Sequence, residues 1–186
     1  MSSPMNDFLE KRFSKRQPDG DTHARDVCDR CGFVDYQNPK IVVGSVVEHD
    51  GKVLLCRRAI EPRHGYWTVP AGYLELGETP EEGAKREASE EANASLHLHE
   101  LMAVYTVRRL SQVQLIYRAS LVSPQFSAGE ESLEVQLFGW DDIPWDELAF
   151  PTVKWMLDHY AAWQRGGLEL PATNPAGADS DLDKPF

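Results

Sequence analysis

The chain has no apolar stretch long enough to cross a bilayer, and none near its start with the apolar core of a secretory signal. A cytoplasmic location with no membrane partner is therefore the expectation. Positive charge is also in short supply. Nineteen Lys and Arg face 30 Asp and Glu, a formal net charge of -11, and no tract is dominated by Lys or Arg. That argues against nucleic acid as a partner, because the phosphate backbone is bound through clustered cations. It does not exclude a small anionic ligand, since bound divalent cations invert the field of an acidic cleft. Cysteine is scarce too. Cys28, Cys31 and Cys56 are too few and too unevenly spaced for a disulfide scaffold.

What remains is the composition of a globular protein, 41% hydrophobic and 26% charged over 186 residues. That length suits one sizeable core rather than two. Residues 1–38 read as a polar N-terminal arm, with at most a short helical turn before the knuckle-like CDRCG. Residues 39–166 carry the apolar periodicity of a folded domain, and 167–186 read as a tail without structure. IVVGSVVEHDGKVLLCRR predicts two strands joined at Asp50-Gly51. YWTVPA, LHEL, AVYTVRRL, QVQLIYRASLV and SLEVQLFGWDDI are further strand candidates, with a hairpin around Ser111. PTVKWMLDHYAAWQRGG is a helix whose apolar set is Val153, Met156 or Leu157, Tyr160, and Trp163 or Gln164. Cys56, inside a strand, is assigned to the core.

The chemistry is concentrated in residues 72–92, GYLELGETPEEGAKREASEEA, where seven of 21 residues are Glu. Thr79 is a fitting N-cap, Pro80 takes the first helical position and Glu82 completes a capping box, so a helix is predicted over 80–92. Ala84, Ala88 and Ala92 make a small-residue face for close packing on a sheet. Glu87, Glu90 and Glu91 share another face at i, i+3 and i+4. Like charges at that spacing repel, whereas a hard cation such as Mg²⁺ is held by carboxylates of this kind and bridges them to phosphates. A solvated acidic face is the plainer alternative.

The stretch resembles the signature box of the Nudix hydrolases. Gly72 and Glu78 fill the first two positions, Arg86-Glu87 follows after seven residues, and Glu90-Glu91 is the acidic pair. Small Ala88 and Ala94 stand where bulkier apolar residues are usual, and Asn93 replaces the last glycine. Asn tolerates the left-handed conformation of a helix end, so that exchange is mild. The resemblance implies an α/β/α sandwich around a mixed β-sheet. It also implies hydrolysis of a nucleoside diphosphate linked to another group, with Mg²⁺ or Mn²⁺ as cofactor. Metal ligands would come from Gly72, Glu87, Glu90 and Glu91, and Arg86 would orient the carboxylates through Glu78. A glutamate would activate water: Glu87 within the box, or Glu131, ahead of Glu130, in SAGEESLEV.

The flanking segments resemble a subgroup that splits ADP-ribose or FAD and releases AMP. NADH or another nucleotide, or a non-catalytic nucleotide-binding role, are the alternatives. Arg57, Arg58 and Arg63 are candidate phosphate contacts. Tyr66, Trp67 and Tyr73 are candidates for stacking on a base or for the core, with Trp67 favouring the core. Cys28-Asp-Arg-Cys31 resembles half of a zinc ribbon whose second cysteine pair is missing here, so structural Zn²⁺ is not expected. The resemblance further implies a homodimer.

Overall fold

The computed structural model describes residues 13–178. The chain divides between Asn38 and Pro39 into two compact units. In the first, β1 (Phe13–Arg16), β2 (Arg25–Cys28) and β3 (Val34–Asp35) form a small antiparallel sheet in the order β1-β2-β3. The expected arm thus holds strands rather than a helical turn across its described residues. The knuckle closes through Gly32 N–H to the Cys28 carbonyl (2.9 Å) and Cys28 N–H to the Phe33 carbonyl (2.7 Å), and Gly32 supplies the positive φ that the turn needs.

The second unit is built on a seven-stranded mixed sheet. Its strands are β4 (Lys40–His49), β5 (Lys52–Arg58), β6 (Trp67–Thr68), β7 (Ala71–Tyr73), β8 (Leu96–Val107), β9 (Gln112–Leu121) and β10 (Ser132–Phe138). The main path is β10-β5-β4-β9-β8, with β6 paired to β5 and β7 to β4. Only β4 and β9 run parallel, from Lys40↔Gln112 to Glu48↔Ser120. Asp50 and Gly51, both at positive φ, make the predicted turn between β4 and β5, and the Glu48 carboxylate accepts the Gly51 N–H. β5 pairs with β4 only beside this turn, and β7 takes the first half of that edge of β4.

Strand alternation sends residues to two separate cores. Val46, Val53, Leu55 and Ile116 pack with helix α2 (Pro151–Gln164), through its Val153, Met156, Leu157 and Tyr160. Val43, Val47, Leu54, Cys56, Tyr117 and Ala119 face helix α1 (Pro80–Ala92). The helix–sheet–helix sandwich read from the sequence is the observed fold. On α1 the fully buried Ala84, Ala88 and Ala92 let the helix lie close on the sheet. A larger side chain there would overpack the layer by about 1–3 kcal/mol.

The tail differs from expectation over its described part. Ala172 is buried and bridges Ala103 of β8. Its N–H donates to the Met102 carbonyl (2.8 Å) and its carbonyl accepts the Val104 N–H (2.9 Å). The Asn174 side chain likewise pairs with both main-chain groups of Thr106. The polar composition of this segment conceals a main chain that satisfies the edge of β8. Residues 179–186 lie outside the described part.

Candidate active site

Helix α1 carries the acidic cluster and begins as its sequence dictates. The Thr79 hydroxyl accepts the Glu82 N–H (3.2 Å), and the Glu82 carboxylate accepts the Thr79 N–H (2.8 Å). With its buried alanines against the sheet, the helix turns Glu87 and Glu91 inward as well, and both are buried. Glu91 Oε2 accepts the Ala71 N–H at 3.2 Å. The Glu87 carboxylate lies against Gly72, where any Cβ would collide with it. A side chain at 72 would therefore fill the cradle in which this carboxylate sits.

Arg86 ties the cluster together. Its Nε donates to Glu78 (2.9 Å), Nη1 to both Glu87 (2.7 Å) and Glu90 (2.8 Å), and Nη2 to the Tyr73 carbonyl (2.9 Å). One planar guanidinium thus spans three carboxylates, a task for which a lysine lacks the geometry. Burial is the largest influence on the remaining charges. It raises the Glu87 carboxyl above its ordinary value against the pull of Arg86, and pushes Glu91 up to about 8, with Glu87 and Glu131 adding repulsion. Among the described residues, no three acidic, His or Cys side chains already form a closed cation cage; the guanidinium stands where positive charge is needed.

These residues line one side of a cleft of about 1270 Å³. Seven glutamates (61, 75, 87, 90, 91, 130 and 131) and two arginines, Arg58 and Arg86, lie on its walls. An anionic ligand meets net repulsion there unless cations accompany it. A buried carboxylate pair with raised proton affinity, a cradle that only glycine leaves open, and oxygen-only donors fit a hard divalent ion. Glu87 and Glu91 are placed to hold it, with Glu90 beside them.

The 127–131 loop is fixed to the end of α1. Asn93 takes the left-handed C-cap conformation (φ 47°), and its amide donates to the carbonyls of Ser127 (3.3 Å) and Ala128 (3.1 Å). Ser127 N–H reaches the Ala92 carbonyl and Gly129 N–H that of Glu91, which satisfies carbonyls a helix end leaves free. A Cβ on Gly129 would strike the main chain of Glu90. Both Glu130 and Glu131 are thereby brought to the cleft.

The other sequence candidates separate. Arg58 lines the cleft, with Nε on the Pro62 carbonyl (2.8 Å) and its guanidinium 5.2 Å from the Phe150 ring centre. Arg57 is not among the cleft residues. Alternation along β5 turns it to the opposite face, where its Nε holds the Gly65 carbonyl (2.9 Å) and its guanidinium approaches Glu134. Arg63 stacks on Tyr66, and neither lines the cleft. Tyr73 does, half-exposed, with Lys40 over its ring and its hydroxyl accepting from Gln112. Trp67 is buried edge-on against Phe138, and Cys56 is buried with its thiol pKa raised by burial. Sequence reasoning passed over Gln114, Phe150 and Thr152, which also line the cleft. The available signal was QVQLIYRASL, where Gln114 shares a strand face with the apolar Ile116.

In the first unit, N–H groups of Cys31 and Arg30 point at the Cys28 thiol and hold its pKa below the ordinary value. This is the electrostatics of a metal-binding knuckle. Yet two thiols are half of a structural zinc site, and no group of three ligands occurs among the described residues.

Comparison with known proteins agrees with this geometry. The NUDIX domain family matches residues 38–160, and the Nudix N-terminal family, a zinc ribbon, matches 11–37. An ADP-ribose pyrophosphatase of Methanocaldococcus jannaschii is 30% identical over 135 residues, covering 70% of this chain and 78% of its own. A crystal structure of a NUDIX hydrolase from Nitrosomonas europaea is 43% identical with a TM-score of 0.83, over 89% of this chain and 94% of that one. An ADP-ribose pyrophosphatase from Streptococcus suis, 18% identical with a TM-score of 0.60 over 73% of this chain and 98% of its own, shares the fold alone. With the box on a capped helix beside an acidic cleft, the chain belongs to the Nudix hydrolase family and is an enzyme.

Proposed function

We propose that the protein is a Mg²⁺-dependent diphosphatase that splits ADP-ribose or FAD and releases AMP. The observation that carries this reading is the buried Glu87–Glu91 pair, Glu87 held by Arg86 and Glu91 by the Ala71 N–H, opening on a cleft too acidic to take a diphosphate without cations. Glu87, Glu90 and Glu91, with the Gly72 carbonyl, would hold the metal. When bound, Mg²⁺ supplies charge neutralisation at the diphosphate and acidifies a water molecule.

The chain's own residues do the rest. Arg86 donates to both Glu87 and Glu90 through Nη1 and fixes their orientation. Glu131, held at the cleft by the anchored loop, accepts the proton of the attacking water, and Glu130 is the neighbouring candidate. Arg58 presents its terminal amino groups to the phosphates, since it holds the Pro62 carbonyl through Nε. Tyr73 borders the same opening. A homodimer in the cytoplasm is part of this reading and rests on resemblance alone.

The test is AMP release from ADP-ribose, FAD and NADH, assayed side by side with Mg²⁺. Turnover of ADP-ribose or FAD well above NADH is expected. No release from any of the three would overturn the diphosphatase reading, and preference for NADH would overturn the substrate assignment.

A further inference from the structure

Away from the glutamates, the cleft changes character. Val69, Val107, Phe150, Val153 and Met156 present apolar walls, and among them stands Gln114 of β9. The residue is 9% exposed, and Oε1 is shielded from solvent with no hydrogen-bond partner. A buried acceptor left unpaired is costly, so such an amide is retained where something else completes it. Neighbouring Gln112, in contrast, is engaged with the Tyr73 hydroxyl.

We infer that Gln114 reads the base of the nucleotide, its amide taking the exocyclic amine of an adenine ring held between the apolar walls. The inference rests on the proposed adenylate substrate and adds the position of its base. Apolar walls suit a base better than a ribose, whose hydroxyls would leave several groups unpaired against Val and Met side chains. The amide of glutamine pairs with the amine and adjacent ring nitrogen of adenine as acceptor and donor together. Among the described residues none donates to Oε1 of Gln114, so this acceptor is open to a ligand.

The test compares binding of AMP with that of purine riboside 5′-monophosphate, which lacks only the amine. Titration calorimetry on the full chain with Mg²⁺ needs no hydrolysis, since neither ligand contains an anhydride. The wild type is expected to prefer AMP by about 5- to 150-fold. Gln114→Met keeps length and volume without the amide, and is expected to bind the two nucleotides within about twofold of each other. Circular dichroism confirms that the variant is folded, and Gln114→Leu serves if it is not. Equal binding of both nucleotides by the wild type, or a preference that persists in the variant, would overturn the assignment. Uniform weakening of both would do the same, because it would place Gln114 against the sugar. Each of these results is separable from AMP release, which tests the diphosphatase reading itself.

Discussion

Replacing Glu91 with Gln separates what this side chain does for folding from what it does for metal. In the metal-free protein its carboxyl titrates near 8, against 4.5 for an ordinary glutamate. The folded state therefore holds a proton that the unfolded chain has released. Stability falls as pH rises from about 4.5 to about 8, by up to about 1.4 kcal/mol per pH unit. For a domain of this size that is about 3–6 °C in Tm per unit. Glutamine matches the protonated acid in shape and retains an oxygen for the Ala71 N–H. Glu91→Gln should therefore show a flatter Tm–pH curve in EDTA and exceed the wild type above pH 7. Mg²⁺ should narrow the gap. Saturation at a hundredfold over Kd stabilises a binding protein by about 2.7 kcal/mol, an increment that the wild type gains and the variant largely loses. Differential scanning fluorimetry from pH 5 to 8.5, with and without Mg²⁺, reads both effects. Parallel curves for the two proteins in EDTA would refute the burial argument, and equal Mg²⁺ stabilisation with full turnover would refute the ligand assignment.

Three further outcomes are expected. Arg86→Ala leaves Glu78, Glu87 and Glu90 without their common partner and should cost about 2–3 kcal/mol in EDTA, after discounting the exposed Glu90. Mg²⁺ should recover more Tm in this variant than in the wild type, and an unchanged Tm in chelator would count against the hub. Asn93→Gly preserves the left-handed cap while removing the donors to Ser127 and Ala128. Helical content by circular dichroism should hold while kcat/KM falls about tenfold, the effect of one to two lost hydrogen bonds on the position of Glu131; full activity would show that the loop needs no such tether. Elemental analysis of protein purified without chelator should find well under one zinc per chain, and stoichiometric zinc would reverse the reading of the Cys28–Cys31 knuckle.

The sequence made α1 legible because its signals are local: Thr79, Pro80 and Glu82 act within one turn, and the alanine and glutamate faces follow from a 3.6-residue period. The sandwich was legible through the alternation of β4 and β5. What remained hidden depends on which face of a strand meets which neighbour. Arg57 and Arg58 are equivalent as text, yet one peptide of alternation puts Arg58 on the cleft and turns Arg57 away. Gln114 reads as an ordinary polar residue until β9 is seen beside β4 and the start of α2. The segment around Ala172 pairs with β8 through the main chain of Ala172 and the side chain of Asn174, contacts that its residue types do not announce.

The tethering of Ser127 and Gly129 to the last turn of α1 also bears on how the protein tolerates change in chain length. Between the end of β9 at Leu121 and the first tether lie residues 122–126, in which Val122 is exposed and only Phe126 packs on the core beneath. Residues added or lost between 123 and 125 alter the path of the chain before the tethers, while Glu130 and Glu131 continue to take their position from the helix. This short arc is thus the place where the chain can vary its surface, or accept an inserted reporter peptide, without shifting the two carboxylates that the loop brings to the cleft.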